Sequence, residues 1–336
     1  MIDVLVAGGG PVGLAAAIEA RQAGLTVAVV EPRRGPIDKA CGEGLMPGAV
    51  PLLERLGVDP DGMPLRGVSY RRGRHVADHS FATGTGRGVR RTTLHAALAA
   101  RADALGVERV EAKVSALEQD GSSVTAGGIR ARWLLAADGL HSTVRGLIGA
   151  DRGAPRRNRR FGFSRHYAVA PWNDLIEVHW APAAEVYVTP LAQGLVGVAV
   201  LGAPGTDVDA VLDTVPELRE RLAGSEHAGT RGAGPLRRRA SRVRDGRVLL
   251  VGDASGYVDA ITGEGLRLGF DQARAAIRTV TVGEDYERTW RRITRDFRVS
   301  TSNLVAAATS PLRPAIVPTA VALPGVYGAV VERLAR

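Results

Sequence analysis

Apolar runs in the first thirty positions predict a buried βαβ unit. Ile2–Ala7 is apolar after Asp3, and Thr26–Val30 is a second run rich in β-branched residues. Between them, Leu14–Ala23 holds helix-favouring residues, and Gly24 is typical of a helix stop. Strand, glycine turn, helix and strand within about 30 residues indicate a parallel sheet packed against helices.

The buried-strand pattern returns farther along the chain. Residues 32–66 are predicted to be irregular, because they are rich in glycine and proline. The other elements predicted for this α/β part are a helix at Thr92–Leu105, strands at Val110–Leu117, Ser123–Ala126, Ile129–Ala136 and Arg247–Val251, and helices from about Glu264 onward.

From residue 153 to residue 203 the pattern changes to alternation, which is typical of half-buried strands. Short antiparallel strands are also expected between Val68 and Phe81, and a helix at Val208–Leu222. We therefore expect an antiparallel sheet inserted into an α/β body. Its predicted strands are Phe161–Val169, Leu175–Trp180, Glu185–Thr189 and Leu195–Leu201.

The first βα turn, Gly8–Gly13, contains the pattern G-x-G-x-x-G. Gly8 would allow the tight turn, Gly10 would let the backbone approach a pyrophosphate, and Gly13 would let the helix pack closely on the strand. Glu31 would accept hydrogen bonds from ribose hydroxyls, while the helix N-terminus faces the phosphates. The dinucleotide-binding residues predicted here are Gly8, Gly10, Pro11, Val12, Gly13, Glu31, Pro32 and Arg33.

The composition limits the classes of molecule that the protein is expected to bind. The formal charge is +9, and lysine occurs only at Lys39 and Lys113, so nearly all basic residues are arginine. We interpret this bias mainly as the effect of a GC-rich genome. The alternative is that the positive charge favours an anionic cofactor or substrate. Nucleic-acid binding is disfavoured, because the basic residues are not interleaved with aromatic ones. The arginine runs Arg156–Arg160 and Arg237–Arg244 are interpreted as solvated edges of the inserted sheet, with phosphate or partner binding as the alternative.

Cys41 is the single cysteine, which excludes a disulfide framework and a cysteine-rich zinc site, and we predict no metal. Met1 runs directly into the first strand without a signal peptide, so we expect a cytoplasmic protein. Ala315–Val331 carries no charge, but Pro318 and Pro324 interrupt it. We predict a buried or interfacial helix pair there, with weak membrane contact or a lid over an apolar substrate as alternatives.

Two later motifs resemble those of flavoprotein monooxygenases. Leu135–Arg145 resembles the Asp-Gly motif of that family, and Val248–Ala254 resembles its Gly-Asp motif, whose aspartate binds the ribityl chain of FAD. With Arg91 in Arg-Thr-Thr-Leu-His, the resemblance extends from residue 2 to about residue 280. It is to the FAD-dependent family that includes p-hydroxybenzoate hydroxylase, geranylgeranyl reductase and flavin-dependent halogenases.

The resemblance implies an α/β fold: a Rossmann-like FAD-binding domain (GR2 type) with an inserted antiparallel β-sheet substrate domain and C-terminal helices. We expect the FAD-binding domain at residues 1–67, 88–152 and 245–282, the substrate domain at 68–87 and 153–244, and the C-terminal helices at 283–336. The further cofactor residues predicted are Cys41, Gly42, Arg91, Val114, Asp138, Gly139, Arg145, Gly252, Asp253, Gly263, Glu264, Gly265 and Leu266.

Physical reasoning agrees for the second motif. Asp253 ends a buried strand, where its carboxylate needs donors that ribityl hydroxyls would supply; a helix-capping role is the alternative. Gly263–Gly265 opens a helix whose N–H groups would face the flavin. The reading Gly-Asp-Ala-Ser-Gly departs from the Gly-Asp-Ala-Ala-His of aromatic hydroxylases and is closer to the geranylgeranyl reductase branch, although Ala260 stands where proline is usual.

Two other segments resemble that reductase branch. Lys39–Gly44 is similar to its Cys-Gly-Glu-Gly element, and Glu185–Pro190 to its substrate-sheet strand without the usual tryptophan. The Trp-x-Trp-x-Ile-Pro of halogenases is absent, which disfavours a halogenase. The candidate catalytic residues are Cys41, Tyr187 and His166; a passive thiol and ordinary sheet residues are the alternatives.

The leading functional hypothesis is an NAD(P)H-dependent FAD monooxygenase that uses O₂ to hydroxylate an apolar aromatic or polyketide-type substrate of secondary metabolism. The aliphatic composition and the apolar C-terminus favour such a substrate. The alternatives are a reductase of isolated C=C bonds in a prenyl substrate and a non-catalytic flavin-binding protein. NAD(P)H is expected to bind transiently, because no second glycine fingerprint is present, and the chain is expected to be a monomer or a homodimer.

Overall fold

The computed structural model describes residues 1–155, 158–192 and 194–336. Its α-helices are α1 (Pro11–Gln22), α2 (Val50–Leu56), α3 (Arg91–Ala104), α4 (Thr143–Leu147), α5 (Val208–Asp213), α6 (Pro216–Leu222), α7 (Gly265–Val282), α8 (Tyr286–Ala308), α9 (Ile316–Ala322) and α10 (Pro324–Ala335). Its strands are β1 (Ile2–Ala7), β2 (Val27–Val30), β3 (Gly44–Leu45), β4 (Met63–Leu65), β5 (Gly67–Arg72), β6 (His75–Ser80), β7 (Gly86–Gly88), β8 (Glu108–Val110), β9 (Leu117–Gln119), β10 (Val124–Ala126), β11 (Ile129–Ala136), β12 (Phe161–Tyr167), β13 (Leu175–Trp180), β14 (Glu185–Leu191), β15 (Leu195–Gly202), β16 (Arg231–Ala233), β17 (Arg244–Asp245) and β18 (Val248–Leu250).

The first sheet has the strand order β17-β18-β11-β1-β2-β8, and its central strands are parallel. Helices α1, α3 and α7 pack together on one face, where small alanine side chains let α1 lie close to the strands. The buried runs of β1 and β11 fit a sheet that is covered on both faces. The predicted Rossmann-like α/β fold is confirmed.

The second sheet has the order β16-β12-β15-β14-β13-β5-β6, and β12 to β15 pair antiparallel as expected. One pair differs, since β5 lies parallel to β13. These two strands are distant along the chain, so no hairpin forces them to be antiparallel. Helices α5 and α6 cover the outer face of this sheet, and its inner face looks toward the first sheet.

Three element predictions were wrong in detail. Residues 32–66 contain a short helix, α2, whose Leu53 and Leu56 are buried against α1 and α7. The strand predicted at Val110–Leu117 is interrupted, because β8 pairs with β2 while β9 pairs with β10. The helix predicted at Val208–Leu222 is divided into α5 and α6, since Pro216 cannot continue a helix from the preceding turn.

The C-terminal helix pair was predicted correctly. Helices α9 and α10 fold back onto β6 of the second sheet, and α9 also meets β5, so that Val317, Tyr327 and Val331 are buried there. In the described part of the chain, no single helix is long and apolar enough to cross a membrane. Helix α8 and the segment Arg313–Ala322 meet the length and composition criteria together, but they are bent by 107°.

Candidate active site

A cavity of about 550 Å³ lies between the two sheets, within the size range of ligand sites. Its two ends differ in chemistry. The nucleotide end is formed by Gly8, Gly10, Glu31, Arg33 and Arg91. The apolar end is formed by Ile176, Val178, Leu201, Leu236, Val331 and Leu334. The predicted site residues that line this first cavity are Gly8, Gly10, Pro11, Val12, Glu31, Pro32, Arg33, Cys41, Gly42, Arg91, Val114, Asp138, Gly139, Tyr187, Asp253, Gly263, Gly265 and Leu266.

Close backbone packing shapes the nucleotide end. Gly8 has φ +102°, and a Cβ there would lie 2.5 Å from the Ala137 carbonyl oxygen. A Cβ on Gly13 would lie 1.8 Å from the Gly8 carbonyl oxygen, so Gly13 serves packing and does not line the cavity. In front of Gly10 the space is open, since a Cβ there would meet only the Arg91 guanidinium, at 4.0 Å.

The N-terminus of α1 opens onto this space without a side-chain cap. Gly10 is the N-cap residue, Pro11 begins the helix, and the first turn holds no acidic residue. The first N–H groups of a helix need an acceptor, and phosphate oxygens provide one. Arg91 adds a cation whose Nε is buried without a hydrogen-bond partner among the described residues. The arrangement fits a pyrophosphate.

Glu31 is held in position at the same end. Its Oε2 accepts a hydrogen bond from the Gly9 N–H at 2.9 Å, and its Oε1 accepts from Arg33 Nε at 2.7 Å. Burial alone would raise the pKa of Glu31, but these hydrogen bonds hold the pKa below its ordinary value. The carboxylate is therefore ionised and can accept from ribose hydroxyls.

Asp138 carries an unused acceptor. Its Oδ2 accepts from the Val144 N–H at 3.0 Å, while its Oδ1 is buried with no partner in the described part of the chain. Burial raises the pKa of Asp138. A buried carboxylate oxygen calls for a donor, which hydroxyl groups of a bound cofactor would supply. Asp253 lines the cavity nearby, with Lys39 Nζ 3.6 Å from its Oδ2.

Three residues predicted to bind the cofactor support the cavity from behind. Arg145 is fully buried and donates to the Leu140 carbonyl at 3.0 Å and the Ala254 carbonyl at 3.1 Å. It thus joins the Asp-Gly and Gly-Asp segments without reaching the cavity. Gly252 packs against Val12, and Glu264 forms an ion pair with Arg267 at 2.6 Å. Packing explains the placement of Gly252, and hydrogen bonds explain that of Arg145, whereas Oε2 of Glu264 is buried without a hydrogen-bond partner among the described residues.

Tyr187 faces the first cavity, but its proton is committed elsewhere. Its hydroxyl donates to the Ile261 carbonyl at 2.8 Å. Burial raises the pKa of Tyr187 well above its ordinary value, so the hydroxyl stays neutral. The residue can shape the apolar end and can still accept a hydrogen bond from a substrate.

The sequence prediction missed Glu43, which lies at the junction of the two ends. Glu43 has φ +58°, an uncommon conformation for a residue other than glycine, and it is buried. Its Oε2 lies 2.6 Å from His166 Nε2, and its Oε1 accepts from the Arg91 N–H at 2.7 Å. Cys41 lines the cavity beside it, with Sγ accepting from the Glu43 N–H at 3.4 Å.

His166, predicted as catalytic, does not line the cavity and reaches it through Glu43. The sequence signal for Glu43 was its position in Cys-Gly-Glu-Gly. The left-handed backbone that aims its carboxylate has no signature in the sequence, because such residues are usually glycine or asparagine.

A buried charge network supports the apolar end. Glu185 Oε2 lies 2.5 Å from Arg160 Nη2, and Arg160 Nε lies 2.9 Å from Asp259 Oδ2. Arg313 pairs with the other oxygen of Glu185 and donates to the Ala181 carbonyl at 2.9 Å. The interpretation of the first arginine run as a solvated edge was therefore wrong for Arg160; its first two arginines, residues 156 and 157, lie outside the described residues.

Comparison with known proteins also indicates FAD as the cofactor. Residues 1–280 match the family model described as "FAD binding domain". The chain is 31% identical over 327 residues to menaquinone reductase of Mycolicibacterium smegmatis, covering 86% of this chain and 79% of that protein. It is 31% identical over 311 residues to rifampicin monooxygenase of Streptomyces venezuelae, covering 81% of this chain and 62% of that longer protein.

The fold is also that of solved flavoproteins. The structure of p-nitrophenol 4-monooxygenase from Pseudomonas putida superposes with a TM-score of 0.78 at 23% identity, covering 99% of this chain and 96% of that one. The family match over 280 residues and the fit of the nucleotide end agree. The chain belongs to the FAD binding domain family and is an FAD-dependent oxidoreductase.

Proposed function

We propose that the chain is an FAD-dependent monooxygenase that takes electrons from NAD(P)H and hydroxylates an apolar aromatic or polyketide-type substrate with O₂. The observation that carries the proposal is the first cavity, in which a nucleotide end continues into an apolar end closed by Val331 and Leu334 of α10. The likeness to rifampicin monooxygenase, over 81% of this chain, supports this substrate class.

Different residues of the nucleotide end would bind different parts of FAD. The α1 N-terminus and Arg91 would hold its phosphates, Glu31 its ribose, and Asp138 and Asp253 its hydroxyl groups. Bound FAD supplies the redox chemistry, including the activation of O₂. The chain fixes the position of the cofactor and keeps the adjoining space dry.

The apolar end would bind and orient the substrate. Aliphatic side chains from β13, β15 and α10 exclude water from it. At the junction, Glu43 faces the cavity, and its Oε2 lies 2.6 Å from His166 Nε2. This pair can accept a proton from a phenolic substrate or return one to it.

A second candidate is a reductase of an isolated C=C bond in a prenyl substrate. The specific observation is 31% identity to menaquinone reductase over 86% of the chain. In that role Glu43, with His166 behind it, would be the proton source. The two candidate functions can be distinguished by experiment, because the monooxygenase requires O₂ and the reductase does not.

The test uses the FAD-loaded protein with NADPH in stopped-flow and oxygen-electrode assays. Rifamycin-type and tetracycline-type phenols should stimulate oxygen uptake and give a product that is heavier by one oxygen atom. The Glu43→Gln variant should retain FAD and lose most of this turnover, whereas Glu118→Gln, an exposed control, should not. Saturation of a short-chain menaquinone under anaerobic conditions, without phenol hydroxylation, would replace the first candidate by the second.

We also propose the division into the FAD-binding, substrate-binding and C-terminal parts given above, since β5 and β6 join the second sheet. A monomer or homodimer in the cytoplasm, with weak membrane contact at the C-terminus, is proposed as well. Apolar side chains exposed on α10 and just before it support the contact: Leu323 is 51% exposed and Val326 is 60% exposed. Sedimentation of the purified protein without lipid vesicles tests the oligomeric state, and sedimentation with vesicles tests the membrane contact.

A further inference from the structure

A second cavity, of about 340 Å³, lies beside the first one. It is enclosed by the segment Arg237–Ala240, the beginning of α7 and the middle of α8. The two cavities share Asp253, Tyr257 and Gly265 in their walls, so a ligand in the second would lie next to the FAD-binding residues. None of the functions described above uses this second cavity.

Local backbone pairing directs two arginines toward α8. Arg238 and Tyr257 form an antiparallel bridge, with N–H···O distances of 2.9 and 3.0 Å. Side chains alternate along an extended segment, so Arg237 and Arg239 lie on one face and Arg238 on the other. Arg238 also lines the second cavity, but its Nη2 donates at 2.7 Å to Nδ1 of His141, a residue that lines the first cavity.

Arg237, Arg239 and Arg298 line the second cavity without a carboxylate partner. In the described part of the chain, none of the three has an acidic oxygen within 4.0 Å. Burial and the positive charges of Arg239 and Arg298 lower the pKa of Arg237. Three arginines that repel one another around a concavity form a ready site for an anion with more than one negative charge.

Aromatic rings lie beside these cations. The Arg298 guanidinium lies 5.3 Å from the centre of the Trp290 ring, and Phe297 and Tyr257 line the same cavity. Ser302 and Asn303 add neutral hydrogen-bonding groups. Guanidinium groups next to flat apolar rings suit a ligand that joins a phosphate to a purine.

We propose that the second cavity binds the phosphorylated adenosine part of the electron donor, with Arg237, Arg239 and Arg298 holding its 2′-phosphate. The identity of the ligand rests on the proposed function, which requires NAD(P)H. The proposal assigns a donor preference: NADPH binds better than NADH, because NADH lacks the 2′-phosphate that the three arginines would neutralise.

The test is direct binding of 2′,5′-ADP to the FAD-loaded protein, measured by calorimetry and by tryptophan fluorescence. Arg237→Ala and Arg298→Ala should each weaken binding at least tenfold. Arg295→Ala, an exposed arginine on the same helix as Arg298, should leave it within twofold. Equal weakening by all three variants, or inorganic phosphate binding as tightly as 2′,5′-ADP, would overturn the proposal.

A second measurement separates this proposal from the proposed function. Photoreduction with a sacrificial tertiary amine as the electron donor reduces the flavin without a nucleotide. With NADPH as the donor, the KM of Arg298→Ala for NADPH should rise at least tenfold, and wild-type protein with photoreduced flavin should hydroxylate the substrate without NADPH. If photoreduced wild-type protein hydroxylates nothing but still binds 2′,5′-ADP tightly, the monooxygenase proposal fails and the nucleotide site stands.

Discussion

The nucleotide end of the first cavity is shaped mainly by main chain and glycine, whereas its apolar end is shaped by side chains from distant segments. At the nucleotide end, Gly8 and Gly13 permit contacts that a single Cβ would block. At the apolar end, Ile176, Leu201 and Leu334 meet because the second sheet and α10 bring them together. We therefore expect the first end to tolerate few substitutions and the second to accept exchanges among aliphatic residues more readily.

The supports of the two ends differ as well. The nucleotide end rests on an aliphatic core between α1, α3 and α7. The apolar end has charged groups beneath it: the Arg160–Glu185–Arg313 network and Glu177 on the outer face of β13. Buried charges are costly when one partner is lost, so the apolar end should be the more fragile to single charge deletions.

The largest effect is expected from Arg313→Met. It removes one of the two arginine partners of Glu185 and leaves the carbonyls of Ala181 and Ala184 without the donor that Arg313 supplies. Deleting one member of a buried ion pair costs about 3–5 kcal/mol in the free energy of unfolding. Urea denaturation of the FAD-loaded protein measures this loss.

The matched control is Arg333→Met, which removes an exposed ion pair with Asp296 at 2.9 Å. Exposed pairs contribute below about 1 kcal/mol. If both variants lose the same stability, the network around Glu185 does not support the apolar end in the way argued above.

A pH-dependent effect is expected at Glu177. Burial would raise its pKa, but hydrogen bonds from His179 and Trp172 and the charge of Arg71 lower the pKa to about 2. The stabilisation is present above the ordinary pKa of 4.5 and is lost as the pH falls toward 2. Since one pKa unit corresponds to about 1.4 kcal/mol, Glu177→Gln should cost up to about 3 kcal/mol at pH 7.

Urea denaturation of wild type and Glu177→Gln at several pH values tests this. The difference between the two should shrink as the pH falls below 4.5, and Glu118→Gln on exposed β9 should show no such trend. A difference that is independent of pH would mean that Glu177 contributes by packing alone.

The contrast between the ends also explains what the sequence could predict. The nucleotide end was predictable, because backbone conformations such as that of Gly8 require glycine, and glycine can be identified directly in the sequence. The first and second sheets were predictable from apolar runs and alternation. The parallel pairing of β5 with β13 and the buried position of Arg160 were not, since both depend on contacts between residues far apart in the chain.

Gly10→Ala tests the nucleotide end alone. The new Cβ would have only the Arg91 guanidinium near it, at 4.0 Å, so the protein should fold with unchanged stability without FAD. The methyl group would occupy the space assigned to the pyrophosphate and should weaken FAD binding at least about tenfold, or 1.4 kcal/mol. Flavin fluorescence titration of the apoprotein gives the dissociation constant.

Gly146→Ala is the control for this substitution. Gly146 lies in α4 with an ordinary helical backbone, and a Cβ there would have no neighbouring atom within 4 Å. The variant should keep wild-type affinity for FAD. Full FAD affinity in Gly10→Ala would place the phosphates away from the α1 N-terminus.

The smallest effect concerns the outer surface beside the apolar end. Val326 on α10 and Leu323 just before it are exposed, and Leu334 of the same helix lines the first cavity. Arg333 and Arg336 on this segment can attract anionic lipid. The double variant Leu323→Ser/Val326→Ser should reduce sedimentation with phosphatidylglycerol vesicles about fivefold, since partial burial of two aliphatic side chains contributes roughly 1 kcal/mol. Turnover of a water-soluble phenol should not change.

The control is the double variant Leu147→Ser/Val282→Ser, which removes exposed aliphatic residues elsewhere and should sediment like wild type. If both double variants lose vesicle binding equally, no specific face of the protein contacts the membrane.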